Sequence, residues 1–192
     1  FAAKADPNCK IFGSSKHQYK FNPTISLEKV REFERKYNVT LPESYVEFLT
    51  TIGNGGAGPY YGLYSLEYID SDHNCGWDFS FDHKKNVIIR PGLTKEKWNE
   101  YVIKLENEEN DEKYEEMIDE LTNGIIVIGT QGCTYDHILL CEGEYSGQVA
   151  YIDWNLLEDY PPYFTGMKFD EWLCSYFEEI AVGNYVDGYG YR

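Results

Sequence analysis

The sequence predicts an α+β fold in which an antiparallel sheet is flanked by helices. Apolar residues recur at helical spacing before residue 53, between residues 94 and 124, and from residue 168 to 180. Short runs of β-branched and aromatic residues follow one another at residues 125–128, 135–141 and 148–154. Their short links favour an antiparallel meander, because parallel neighbours need a crossover of about a dozen residues. We therefore expect N-terminal helices, an inserted helical pair, and a C-terminal helix packed on the sheet.

Two short helices are predicted near the N-terminus. Ser26 can cap the first helix, which should end near Asn38, and Pro42 has the φ angle that suits the first position of the second. The second should end at Gly53, because glycine readily takes the left-handed conformation that closes many helices. The apolar residues that define the two helical faces are Leu27, Val30, Phe33 and Tyr37, followed by Tyr45, Phe48, Leu49 and Ile52.

The 192 residues fit one domain with a single core. Residues 1–23 have no sustained periodicity, so they are predicted to form an N-terminal extension or a loosely packed arm. Residues 24–192 are predicted to be the domain itself. Within it, residues 155–166 contain two prolines and are predicted to be a loop.

A glycine-rich loop at residues 53–59 joins the second helix to a strand predicted at residues 61–66. Phosphate-binding loops precede a helix N-terminus, where free N–H groups and the positive end of the helix dipole meet the anion. This loop instead follows a helix C-terminus, and no Gly-Lys-Ser/Thr accompanies it. The sequence therefore favours a specialised connection over a phosphate site.

The inserted pair consists of one helix that Thr94 can cap and a second that ends at Gly124. An acidic run at residues 106–112 breaks the apolar phase between them, so two helices are expected and not one long rod. The C-terminal helix should bury one face on the sheet, through Phe169, Trp172, Leu173, Tyr176, Phe177 and Ile180.

The net charge of −16 is concentrated in the second half of the chain. Residues 1–113 carry 15 Lys and Arg against 18 Asp and Glu, whereas residues 114–192 carry 2 against 15. Nucleic acid is not an expected ligand, because its affinity comes mainly from Lys and Arg on phosphates. No apolar stretch reaches the roughly 20 residues of a membrane span, so no membrane contact is predicted. A basic protein is the expected partner.

No enzyme activity, metal or cofactor is predicted. Cys133 and His137 would lie about 13 Å apart on an extended strand, which is beyond hydrogen-bond reach. The odd number of cysteines and the absence of C-x-x-C indicate a reducing compartment, so a cytoplasmic location is predicted. Cys133, Cys141 and Cys174 are predicted to be small buried hydrophobes. The metal-ligand residue types that gather in one stretch match no standard zinc spacing: Asp72, His73, Cys75, Asp82 and His83.

Three blocks resemble the SUKH superfamily, which includes bacterial immunity proteins and fungal regulators of cell-wall synthesis. They are LPESYVEFLTTIGNGGAGPYYGLYSL at residues 41–66, GIIVIGTQGCTYDHILLCEGEYSGQVAYID at residues 124–153, and KFDEWLCSYFEEI at residues 168–180. A structural role is expected for the motif positions, which are Pro42, Gly53, Asn54, Gly55, Gly56, Gly58, Gly62, Gly132, Cys133, Gly147 and Trp172.

The resemblance implies an immunity protein that binds and neutralises a polymorphic or contact-dependent toxin. Many such toxins are nucleases, and a basic nuclease cleft suits an acidic partner. The alternative is a regulatory scaffold like the fungal relatives, and a small-ligand binder or an enzyme ranks third. The predicted partner-binding residues are Asp70, Asp72, Asp78, Glu142, Glu144 and Asp153.

Overall fold

The computed structural model describes residues 1–71 and 81–184, and this part of the chain confirms the α+β class. Eight helices occur in it: α1 Ala2–Ala5, α2 Ser14–His17, α3 Leu27–Tyr37, α4 Glu43–Glu47, α5 Leu66–Ile69, α6 Lys95–Glu106, α7 Asp111–Thr122 and α8 Phe169–Ala181. A π-helical turn, Phe48–Ile52, continues α4, and a 3-10 turn occupies Gly143–Tyr145. The predicted N-terminal helices, helical pair and C-terminal helix are all present.

One antiparallel sheet contains the four strands β1 Ile125–Gly132, β2 Tyr135–Leu140, β3 Gln148–Asp153 and β4 Tyr163–Lys168. Their spatial order is the chain order, which confirms the predicted meander. The prediction of a loop through residue 166 was wrong, because β4 pairs with β3 at Ala150↔Phe164 and Tyr151↔Tyr163. β4 is an outer strand with no fully buried residue and with Gly166 in its middle, so it lacks the apolar run that marks its neighbours.

The sheet is buried on both faces. Alternate residues of β1 to β3 pack on one side against α3, α4 and α8, where Phe169, Trp172 and Tyr176 form much of the core. The intervening residues pack on the other side against α6 and α7, through Trp98, Val102 and Leu121. Because both faces are covered, the strands read as continuous apolar runs in the sequence.

The helix ends follow the polar residues that mark them. Ser26 Oγ accepts from the Lys29 N–H at the start of α3, and Asn38 closes that helix at φ 53°. Thr94 and Asn110 cap α6 and α7 in the same way, and each accepts an N–H bond from the residue three positions on. Pro42 is the residue before the first turn of α4, one position earlier than predicted.

Residues 61–66 do not form the predicted strand. Leu63 makes single antiparallel bridges to Gly56 and to Gly129 of β1, and the chain turns into α5 at Leu66. Ser65 causes the change, because its Oγ caps α5 by accepting from the Tyr68 N–H at 3.2 Å.

The N-terminal segment is not loosely packed. Ala2 is buried against α8, and Ser14 and His17 are buried as well. Asp6 holds the segment together, since its carboxylate accepts from the Ser14 hydroxyl at 3.2 Å and from the Tyr19 hydroxyl at 2.7 Å. These contacts are polar and irregularly spaced along the chain, so no apolar periodicity in the sequence predicted them. The predicted domain boundary between residues 23 and 24 stays a prediction.

Candidate functional site

The glycine-rich loop extends the sheet beyond the edge of β1. The Tyr64 N–H donates to the Ile128 carbonyl at 2.8 Å, and Gly56 and Leu63 exchange two backbone bonds of 2.8 Å each. On its other side the loop pairs with the N-terminal segment, because the Ala57 N–H donates to the Lys20 carbonyl at 2.9 Å. The loop therefore lies between β1 and residues 20–22 and is hydrogen-bonded to both through its backbone.

Close backbone approach explains why the loop consists of glycines. Gly56 has φ +100°, and a Cβ there would lie 2.5 Å from the Lys20 carbonyl oxygen. Gly62 has φ +90°, and its Cβ would lie 2.1 Å from the Gly56 oxygen. A Cβ at Gly55 would lie 2.5 Å from the Tyr64 carbonyl oxygen, and one at Gly58 would lie 2.9 Å from the Leu63 side chain. The loop N–H groups of residues 53, 54, 56 and 57 all donate to protein carbonyls, so they are not turned toward a phosphate.

Asn54 fixes the loop to α5. Its side-chain oxygen accepts from the Leu66 N–H at 2.8 Å, its Nδ2 donates to Glu67, and its carbonyl accepts from the Asn22 side chain at 2.9 Å. Asn54 is buried. Burial raises the pKa of Glu67, but hydrogen bonds from the Glu67 N–H and the Asn54 side chain, together with the neighbouring Lys29, outweigh it and lower that pKa. Every polar group of this side chain therefore serves the fold.

The remaining motif positions lie at turns and in the core. Gly132 packs its backbone under the Tyr61 ring, and Cys133 follows it in the β1–β2 turn with φ 53°. Gly147 precedes β3 beside Pro42. Trp172 is fully buried and donates from Nε1 to the Tyr151 hydroxyl at 2.8 Å. Gly53 is in an extended conformation against Phe21 and Asn22, and does not take the left-handed closing conformation that was expected.

His137 lies in the core and not in an active site. Its ring is 0% exposed and packs against Tyr60, Tyr151 and Trp172, at centroid distances of 5.6, 5.0 and 5.4 Å. Neither ring nitrogen has a hydrogen-bond partner among the described residues. Burial lowers the pKa of His137 to about 3, so the ring is neutral near pH 7. Cys133 is exposed in the preceding turn, and the two form no catalytic couple.

The cysteine predictions were partly wrong. Cys141 is buried, and burial raises the pKa of its thiol. Cys133 and Cys174 are exposed, because one lies in a turn and the other on the outer face of α8. Within residues 1–71 and 81–184, no group of three or more His, Cys, Asp or Glu is arranged to hold a metal ion. Asp72, His73 and Cys75 lie outside the described residues.

The four predicted partner-binding residues that the structure describes are spread over different elements. Glu142 and Glu144 lie in the β2–β3 turn, whereas Asp153 ends β3, about 17 Å away along the strand. Asp70 is at the end of α5 and forms an ion pair of 2.6 Å with Lys36. Asp72 and Asp78 lie outside the described residues.

The densest acidic surface is instead on α7 and the elbow before it. The elbow contributes Glu106, Glu108 and Glu109, and α7 contributes Asp111, Glu112, Glu115, Glu116, Asp119 and Glu120. All of these residues are exposed or partly exposed. The five ion pairs found among the described residues include none of these carboxylates. The sequence showed the acidic run at residues 106–112 but did not single out α7.

Comparison with known families gives a match over most of the chain. The family model described as SMI1 / KNR4 family (SUKH-1) matches residues 24–175. The chain belongs to the SMI1/KNR4 family. No curated protein and no solved structure matches it. Membership in this SUKH family supports an immunity role or a related regulatory role.

No helix within residues 1–71 and 81–184 of this SMI1/KNR4 family member has the length and hydrophobicity needed to cross a membrane. Its matched region begins after the N-terminal segment that pairs with the glycine loop, so the loop receives part of its hydrogen bonding from outside the matched residues. The family motif positions and the acidic helix α7 are distinct features, since the former build the fold and the latter faces solvent.

Proposed function

We propose that this chain is an immunity protein, which binds a basic toxin by protein contact and blocks it without catalysis. Membership in the SMI1/KNR4 family is the observation that carries the proposal. The glycine loop is consistent with it, because the loop N–H groups of residues 53, 54, 56 and 57 are used in backbone pairing and do not face a ligand. The free thiols of the described cysteines suit action in the cytoplasm, a reducing compartment.

The charge distribution favours a basic partner. The nine carboxylates of α7 and its elbow face solvent, with Lys104 and Lys113 as the nearest cations in the chain. A large field of one sign steers an oppositely charged partner and raises the association rate, and salt screens this effect over about 8 Å at physiological ionic strength. A nuclease with a cleft for phosphates is the kind of toxin that such a surface attracts.

Co-expression tests the proposal directly. The product of the reading frame adjacent to this one is expressed in a host with and without this chain. We expect growth arrest without the chain, rescue with it, and a stable complex on gel filtration. Arrest that persists in the presence of soluble chain would contradict the proposal, and a complex with a non-toxic product would favour the regulatory scaffold.

Charge reversal distinguishes an effect of the α7 surface from an effect of overall net charge. The double variant Glu116→Lys with Glu120→Lys changes α7, and Glu32→Lys with Glu47→Lys is the matched control on α3 and α4, with the same change of net charge. We expect the α7 variant to slow association about tenfold at low salt and to flatten its salt dependence. Equal effects of the two variants would show that net charge matters and not the α7 surface.

A further inference from the structure

Four large aromatic side chains are exposed at the end of the sheet where β1 turns into β2. They are Phe12, Tyr61, Tyr135 and Tyr160, with 49%, 38%, 42% and 67% of their surface exposed. We call this set, together with Asp153, the aromatic end. Tyrosine is enriched at protein interfaces, because it offers a large, rigid surface with a polar tip.

The members of the aromatic end are contiguous. The Phe12 and Tyr61 rings meet edge to face, with 5.4 Å between their centroids. The Tyr61 ring covers Gly132, and Gly132 pairs with Tyr135 across the two-residue turn. Tyr135 lies opposite Asp153 in the pairing of β2 with β3, and its hydroxyl donates to that carboxylate, which raises the pKa of the phenol. Tyr160 is near enough to have an electrostatic effect on the same phenol.

The support beneath the aromatic end is rigid. Asp153 accepts from the Thr134 hydroxyl at 2.7 Å and from the Asn155 N–H at 3.0 Å. The Asn155 side chain also donates to Thr134 Oγ1 at 2.9 Å, which joins the β1–β2 turn to the end of β3. The Asp153 carboxylate is therefore held in place and loses little side-chain entropy when a partner binds.

We propose that the aromatic end is the docking surface for an Arg- or Lys-bearing segment of the partner toxin. This rests on the proposed function and assigns its contact site. Aromatic ring faces attract cations, most strongly the planar guanidinium of Arg, and a carboxylate beside them adds an acceptor. The rings of Tyr135 and Tyr160 with Asp153 supply that combination.

The Tyr135 side of the aromatic end favours a cationic occupant over an apolar one. Residues 114–167, which include Tyr135, Asp153 and Tyr160, contain no Lys or Arg, and Lys95, which reaches Asp159 next to Tyr160, is held in an ion pair of 2.9 Å. The α7 carboxylates at Glu115, Glu116, Asp119 and Glu120 belong to the same stretch and act at longer range. Steering by α7 therefore affects the association rate, whereas contact at the aromatic end determines the dissociation rate.

Dissociation kinetics of the complex with the adjacent reading frame's product test the assignment. Tyr160→Ala and Phe12→Ala change exposed residues, and Tyr68→Ala on α5 is the matched control, since Tyr68 is 43% exposed. We expect each of the first two to raise the dissociation rate at least tenfold, and the control to change it less than twofold. A toxin complex that dissociates at the wild-type rate in both variants would overturn the proposal.

A peptide probe decides the assignment independently of any toxin. Hexa-arginine is titrated into the isotope-labelled chain, with hexa-glutamate as the control peptide, and NMR shifts are followed. We expect saturable shifts at the four rings and at residues 131–135, weakened at least fivefold by Tyr160→Ala. Shifts confined to α7 would overturn the docking surface. If the adjacent product neither binds this chain nor arrests growth, the proposed function fails. The titration would still test whether the aromatic end binds a cationic peptide.

Discussion

The buried histidine of β2 makes stability depend on pH in a way that one substitution can isolate. Replacing His137 with Phe removes a titratable ring but keeps an aromatic group among Tyr60, Tyr151 and Trp172. The native state holds this ring neutral, with a pKa of about 3, whereas an unfolded histidine titrates near 6.5. The folded-state pKa is depressed, so the stabilisation is present above pH 6.5 and is lost as the pH falls from 6.5 toward 3.

The magnitude follows from proton linkage. At pH 7.5 almost no unfolded His137 is protonated, so protonation of this residue changes the free energy of unfolding by close to zero. At pH 5 the unfolded ring is mostly protonated and the folded ring is not, which removes about 2 kcal/mol from the free energy of unfolding. The Phe variant lacks this pH-dependent loss of stability. We therefore expect its stability relative to wild type to improve by about 2 kcal/mol between pH 7.5 and pH 5.

Urea unfolding followed by circular dichroism at pH 7.5, 6.5, 5.5 and 5.0 measures the difference. Carboxylates that titrate in the same range cancel in the comparison of the two proteins. The His137 ring lies close to Gly129, since a Cβ added there would be 3.0 Å from Nδ1, so a larger ring changes the stability at every pH and only the pH-dependent difference is compared. Curves for wild type and variant that stay parallel from pH 7.5 to 5.0 would refute the reasoning.

The glycine loop gives two further predictions. Gly62→Ala places a Cβ against the Gly56 carbonyl at φ +90°, so we expect the free energy of unfolding, measured by heat or urea, to fall by at least about 3 kcal/mol. The control Gly143→Ala adds a Cβ in open space at φ +72° and should lower it by about 1 kcal/mol. Asn54→Ala leaves the buried Leu66 N–H without its acceptor, so the free energy of unfolding should fall by about 1–3 kcal/mol in the same measurement. A decrease below about 0.5 kcal/mol, which is typical of an ordinary surface substitution, would contradict this account.

Sequence reasoning predicted the elements whose signal is local. Apolar periodicity located α3, α6, α7 and α8, and the caps Ser26 and Thr94 marked where α3 and α6 begin, because each accepts from an N–H three residues away. The meander followed from short links between apolar runs. These features depend on neighbours along the chain, which a sequence displays.

Features that depend on distant partners were missed. β4 is recognisable only through its pairing with β3, and the order of the N-terminal segment comes from one carboxylate, Asp6, whose partners Ser14 and Tyr19 lie 8 and 13 residues away. Of the predicted partner-binding residues, Glu142 and Glu144 are separated from Asp153 by the length of β3. Proximity in the sequence did not imply proximity in space, because the two ends of a strand lie at opposite ends of the sheet.

The division between buried positions that fix the backbone and exposed positions that can contact a partner follows from packing. Substitution at Gly56, Gly62 or Trp172 would disturb backbone pairing or the core, so these positions have little freedom to adapt to a partner. The α7 carboxylates and the aromatic end face solvent, and their side chains are free to vary without moving the sheet beneath them. An immunity protein must match one toxin and ignore others, and specificity of that kind arises from both attraction and mismatch at the contact surface. The same fold can therefore serve many toxins when only such exposed positions change, and the buried glycine corner keeps the supporting turn in place.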